Sequence, residues 1–248
     1  MDFTIRLAKK NILIHSVYSS VHHLCTDYLS EDVTNPDIEI YSDDKQIAAE
    51  YGRIRKNDES ITTLQSAERL LIQRKIAEAL LEFDTLLMHG AVIAVNNNAY
   101  MFTARSGTGK TTQIKKWLAN IEGSTVVNGD KPFVILNEHG AYACGTPWCG
   151  KENMGNNLIV PLRSIILMKR SNENRIEKVS IKTMFPTLLE QTYQPKDTDL
   201  QRKTLALLTQ LNKNVDFYTF YFDHYQKDSF KVPYETLTNK IWNISNNE

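Results

Sequence analysis

The chain has 248 residues, enough for one large α/β domain or a full domain with a smaller appended lobe. With 42% apolar and 23% charged residues it is composed like a folded globular protein. Its 29 Lys plus Arg balance 29 Asp plus Glu, so no net charge draws it to nucleic acid or an anionic membrane. Three scattered cysteines, Cys25, Cys144 and Cys149, exclude a disulfide framework. Charges at Asp2, Arg6, Lys9 and Lys10 exclude a signal-peptide apolar run, and the apolar stretch Leu86 to Val95 is too short for a membrane span. A cytoplasmic protein is expected.

Phe3 to His15 alternates loosely in the manner of a strand pair. Ser16 then stands where it can cap a helix whose apolar residues are Val17, Val21, Cys25, Tyr28 and Leu29. His22 and His23 are adjacent on that helix and point about 100° apart, a poor chelate, so a solvated or capping role is the default. Ile38, Ile40 and Tyr41 suggest a strand. The stretch from there to Thr63, with Asp43, Asp44, Lys56, Asn57 and Asp58, reads as turns and surface. Ser66 precedes an amphipathic helix with Leu70, Leu71, Ile76, Ala79, Leu80 and Phe83 as its buried stripe. Residues 1–85 are therefore read as a small N-terminal α+β lobe.

Beyond Asp84, short apolar runs alternate with turn residues. Ala91–Val95, Asn96-Asn97-Asn98 and Ala99–Thr103 give a hairpin signal. A helix begins near Lys110 with Ile114, Trp117 and Leu118 on one face. Strands follow at Ser124–Val127, Phe133–Leu136, Ala141–Cys144 and Ile165–Met168. Helices are expected at Ile181–Gln191, Leu200–Leu211 and Tyr234–Trp242, with a strand near Val215–Phe222 returning to the sheet and a frayed polar end at Asn243–Glu248. Residues 86–248 are read as a mixed-sheet α/β nucleotide-binding catalytic domain with a helical C-terminal region.

The segment Ser106-Gly107-Thr108-Gly109-Lys110-Thr111 lies between a strand and a helix, the order that phosphate binding requires. Gly107 and Gly109 can take positive φ and bring bare N–H groups to phosphate oxygens, while the new helix aims its positive end at the same place. Lys110 can reach the β- and γ-phosphates, the Thr111 hydroxyl can ligate magnesium, and Thr112 is a first-turn residue within reach of an α-phosphate. A strict phosphate loop has glycine where this chain has Ala104, which is tolerable if that backbone stays at negative φ. The site predicts a nucleoside triphosphate, with ATP and Mg2+ as cofactors.

Phosphoryl transfer also needs a carboxylate for the metal and a proton acceptor. Asp130 follows the run Ser124 to Gly129 and suits a metal-binding strand end, but Asn-Gly-Asp is equally a surface turn. His89, before the strand Ala91–Val95, reads first as a histidine hydrogen-bonded at a strand entrance; a proton-accepting or phosphate-contacting imidazole is the alternative. His139, Cys144 and Cys149 fit no zinc spacing, and the two cysteines read as small buried or partly exposed thiols.

The ordered set His89-Gly90, the phosphate loop, Asn128-Gly129-Asp130-Lys131-Pro132 and Gly145-Thr146-Pro147-Trp148 resembles the HPr kinase/phosphorylase family and its shorter relatives. The resemblance covers residues 86 to 170 best. It implies the nucleotide-binding core of phosphoenolpyruvate carboxykinase, with His89, Lys110 and Asp130 as catalytic residues and Thr111 and Asp130 as metal ligands. The paired aspartates of the family match Gly129 and Asp130, so one carboxylate is missing. The Gly145–Trp148 segment and neighbouring Lys151 resemble a loop of the shorter relatives, where a basic residue could neutralise transferring phosphate; a surface lysine is the favoured reading of Lys151, and Arg163 is a comparable candidate. By the same resemblance, the expected activity is a serine kinase acting on a peptide or small-protein hydroxyl. A nucleotide-binding regulatory or scaffold protein with a weakened site is the alternative. A carboxykinase acting on oxaloacetate finds little support in so short a chain. Oligomerisation is left open.

Overall fold

The computed structural model describes residues 1–31, 35–56, 63–223 and 225–237. The chain starts with a hairpin of β1 (Asp2–Leu7) and β2 (Lys10–His15), turned by Ala8 and Lys9 at positive φ; β2 then pairs parallel with β3 (Ile38–Tyr41). Between them lies α1 (Ser19–Leu24). Its N-cap is Tyr18, not the expected Ser16, whose hydroxyl instead donates to the Met1 and Tyr18 carbonyls. The helix stops at Cys25 and a 3-10 turn follows at Thr26–Tyr28, so Val21, Cys25 and Tyr28 reach the core while Val17 and Leu29 stay exposed.

Part of the stretch expected to be turns is a helix, α2 (Asp44–Arg55), capped by the Asp43 carboxylate accepting from Gln46 N at 2.8 Å. It escaped the sequence reading because its inward face holds only Ile47, Glu50 and Ile54; Glu50 is tolerated inside because Arg53 and Arg74 bind its carboxylate. Asn57 and Asp58 lie outside the described residues. The next helix, α3 (Leu64–Leu80), begins earlier than expected, capped by Thr63 Oγ1 accepting from Ser66 N. It buries Ala67, Leu71, Ile72, Ile76, Ala77 and Leu80, with Phe83 left at the surface.

The main sheet begins with β4 (Thr85–Leu87), β5 (Ala91–Val95) and β6 (Asn98–Thr103), and α4 (Lys110–Asn120) follows the last of these. The turn between β5 and β6 is made by Asn96 and Asn97, both at positive φ, the geometry a two-residue hairpin favours. Then come β7 (Thr125–Asn128), β8 (Phe133–Asn137), β9 (Gly140–Cys144), the 13-residue β10 (Ile159–Ser171) and β11 (Arg175–Val179). Helices α5 (Ile181–Glu190) and α6 (Thr198–Gln210) precede β12 (Asp216–Asp223), and residues 231–237 are helical. The remainder of the expected Tyr234–Trp242 helix and the Asn243–Glu248 end lie outside the described residues.

Strand order is β4-β8-β9-β10-β6-β5-β7, with β12 on β10 and the unanticipated β11 on β12. The long β10 joins two halves: its start pairs antiparallel with β9, and after a register shift between Leu162 and Ser164 it runs parallel to β6 and β12. One face of the sheet packs on α5 and α6 through Met184, Leu188, Leu207 and Leu208; the other packs on α4 through Ile114 and Trp117. The N-terminal residues share a third core with Phe133, Ile135, Cys144 and Trp148. The architecture is mixed α/β, and among the described residues no helix is long and apolar enough to cross a membrane. This arrangement brings the end of β6, the end of β7 and the turn before β5 to one rim of the sheet.

Candidate functional site

The rim holds a cleft of about 770 Å³ lined by the phosphate-loop residues, His89, Asp130, Lys131 and the 149–154 segment. Gly107 and Gly109 sit at φ 75° and 125°, in the region that favours glycine. Gly109 is the N-cap of α4 and offers no side-chain oxygen, so the first-turn amides remain available to an anion. Ala104 is not among the positive-φ residues, which is why alanine serves there; its carbonyl accepts the Lys110 ammonium at 2.9 Å. Arg170, from β10, donates to the Gly107 carbonyl at 2.7 Å and braces the loop from behind.

The opposite wall is a hydrogen-bonded knot. Asn128 is fully buried at the end of β7, and its Oδ1 accepts from the amides of Asp130 and Lys131 at 2.8 and 2.7 Å. Its Nδ2 donates to the carbonyl and the hydroxyl oxygen of Thr146 at 3.1 and 3.0 Å. Thr146 Oγ1 in turn donates to the Lys131 carbonyl at 2.8 Å and accepts from Trp148 N. Asp130 therefore sits on a hydrogen-bonded turn and lines the cleft. Gly145 lets this segment approach Asn156 more closely than any Cβ would permit.

His89 Nε2 lies 3.3 Å from Asp130 Oδ1. The imidazole is positioned through its backbone: the His89 amide donates to Gln191 O at 2.6 Å and its carbonyl accepts from Thr103 Oγ1 at 2.9 Å. The next amide, of Gly90, donates to the Asp130 carbonyl, and a Cβ at Gly90 would press on Met101 at 2.9 Å. Strand entrance and cleft are thus the same place.

Burial pushes the Lys110 and Lys131 ammonium groups below the ordinary lysine value, with the charge of Asp130 opposing that shift. For Asp130 burial acts upward. The hydrogen bond from His89 and the charges of Lys131, His89 and Lys110 outweigh it, and the carboxyl stays below the usual carboxylate range. Burial pushes the Cys149 thiol up to about 11, so at neutral pH it lines the cleft as a thiol rather than a nucleophilic thiolate.

Of the residues expected from sequence, His89, Ser106, Gly107, Gly109, Lys110, Thr111, Thr112, Asp130 and Lys151 all line the cleft. Thr108 turns away, its hydroxyl bonded to Arg105 O at 2.8 Å. Arg163 is elsewhere, donating to Asn98 Oδ1 at 2.6 Å near the β5–β6 hairpin. Gly129 is more than a missing carboxylate: a Cβ there would stand 2.9 Å from Cys149 O and 3.0 Å from Met154 O, so the 149–154 segment occupies the space a side chain would need. Sequence reasoning missed Lys131, Asn128 and the bracing by Arg170. Only the Asn-Gly turn signal hinted at the second, since an asparagine can bond the amides two and three residues on.

No protein-family model and no curated relative matches the chain. Among solved structures, the HPr(Ser) kinase/phosphatase from Coxiella burnetii is similar over 65% of this chain and 93% of that one, at 8% identity and a TM-score of 0.38. So distant a likeness carries nothing about activity, and the functional reading rests on the cleft's own residues.

Proposed function

We propose that the chain binds a nucleoside triphosphate with magnesium and transfers its terminal phosphoryl group to a hydroxyl, as a small serine kinase of the HPr kinase type acting on a peptide or small protein. One observation carries the reading: the 3.3 Å His89–Asp130 contact lies in the same cleft as Lys110 and the open amides of α4. The loop amides and Lys110 hold the phosphates, and Thr111 with Asp130 supplies one hydroxyl and one carboxylate oxygen. That donor set suits magnesium, which keeps phosphate and water oxygens for its other positions and, when bound, would neutralise phosphate charge.

A carboxylate held below its usual range is a weak base, so Asp130 serves as the orienting and cation-binding group and His89 as the proton acceptor. With Nε2–H directed at Asp130, the Nδ1 lone pair takes the acceptor's hydroxyl proton. The hydroxyl oxygen bonds to phosphorus and the bond to the leaving diphosphate breaks. Incubation of the full chain with γ-labelled ATP, magnesium and serine peptides should give labelled phosphoserine, and His89→Ala should slow transfer on the order of 100-fold while sparing ATP binding. Tight ATP binding with no transfer to any acceptor would sink the kinase reading.

A second reading, a nucleotide-responsive regulatory or scaffold protein, is favoured by Gly129. The space for a second carboxylate beside Asp130 is filled by the Cys149 and Met154 carbonyls. Under it, nucleotide binding changes the protein's association state or stability without turnover.

A further inference from the structure

The acids lining the cleft are Asp130 and Glu152, and both are engaged: Asp130 with His89 at 3.3 Å and Glu152 with Lys115 at 2.7 Å. The same walls carry three ammonium groups, those of Lys110, Lys131 and Lys151. Lys151 is exposed and solvated, and Lys110 is turned back onto the Ala104 carbonyl. Lys131 differs from both. It is half-buried, and among the described residues its ammonium makes no ion pair or hydrogen bond, although its backbone is fixed at both ends by Asn128 Oδ1 and Thr146 Oγ1. A partly desolvated cation whose counter-charge, that of Asp130, is shared with His89 and Lys110 is costly to keep unless a further anion arrives to meet it.

We propose that Lys131 is a second phosphate-binding cation of the cleft, placed to contact the outermost phosphoryl group of a nucleoside triphosphate. The inference rests on the nucleotide reading given above and adds a residue and a specificity to it. Position assigns the outermost group. The loop amides cradle the inner phosphates and Lys110 reaches outward from α4 to the β- and γ-phosphates, whereas Lys131 follows Asp130 directly and lines the cleft on the wall of His89, beside the departing phosphoryl group. Where a side chain at Gly129 is excluded, the neighbouring cation supplies the charge neutralisation. The cleft then prefers ligands with three phosphates over those with two.

Isothermal titration of the full chain with ATP and with ADP, each with and without magnesium, tests this without relying on turnover. Lys131→Met is expected to weaken ATP binding at least about tenfold and ADP binding less than about threefold, with Lys131→Arg recovering most of the loss. Lys131→Gln, which keeps a polar end, should lose the same ATP preference and guards against a variant that misfolds; unfolding curves of each variant check that the knot around Asn128 survives. Equal loss for ATP and ADP would overturn the assignment to the outermost phosphoryl group, and no loss for either would show Lys131 to be solvated surface. If wild type binds neither nucleotide, the phosphate-loop reading itself falls; if it binds both and only the Lys131 variants behave like wild type, that reading stands and this inference alone fails.

Discussion

Two glycines line the cleft for opposite reasons. Gly107 lies at φ 75° with open space around it, so its backbone angle requires glycine while its surroundings would accept a side chain. Gly129 has no unusual φ, but its missing Cβ makes room for two carbonyl oxygens. The loop wall is thus built from local conformation and leaves donors open for a ligand. The opposite wall is built from long-range packing and uses its donors internally, through Asn128 and Thr146. The open backbone donors belong to the first wall, and the fixed placement of Asp130 belongs to the second.

The largest effect should come from breaking the loop wall. Lys110→Ala removes its principal cation and should weaken ATP binding about 100-fold, which corresponds to roughly 2.8 kcal/mol at tenfold per about 1.4 kcal/mol. Unchanged affinity in a titration would remove the loop from the site. On the other wall, Asn128→Ala should cost about 3 kcal/mol of stability in urea unfolding, because the amides of Asp130 and Lys131 lose their shared buried acceptor together. A loss below about 1 kcal/mol would mean that the knot is dispensable.

The glycines sharpen the contrast further. Gly129→Ala should destabilise by about 1–3 kcal/mol through overpacking and displace the 149–154 segment, whereas Gly107→Ala should cost about 1 kcal/mol from its left-handed backbone alone. If Gly129→Ala leaves the melting temperature unchanged, the segment over it is free to move and a carboxylate at 129 becomes admissible. Asp130 gives the smallest signal. Its folded pKa lies below its unfolded value, so its contribution is present above the ordinary value of 3.8 and is lost as pH falls through the folded pKa. The stability difference between wild type and Asp130→Asn should therefore be flat above about pH 5 and shrink in acid. A difference independent of pH through that range would contradict the depressed pKa.

Legibility differed between these walls. Strand, glycines, Lys-Thr and helix are consecutive, so the geometry they need is local and the residues alone announce it; the same holds for the Asn96-Asn97 hairpin and for β6 and α4. Helix α2 was hidden because a thin apolar face gives little periodicity, and Glu50 inside it reads as surface until Arg53 and Arg74 are brought to it. The cap of α1 was misplaced for a related reason. Ser16 has the right chemistry, but the amides of Val17 and Tyr18 are taken by the buried Glu68, so the chain turns at Tyr18 instead. Arg163 looked like a site residue by resemblance, yet its register on β10 sets it beside Asn98.

The sequence by itself determined the loop from which the proposed anion site is built and where it lies, because positive φ at glycine, a helix N-terminus and a following lysine need only neighbouring residues to form it. Tertiary structure decided what stands around that site. His89, Asp130 and Lys131 are brought together by pairing β5 with β6 and β7, and the Gly129 cavity is closed by a segment some twenty residues further on. Such contacts depend on sheet order and register, which a run of residues does not carry on its own.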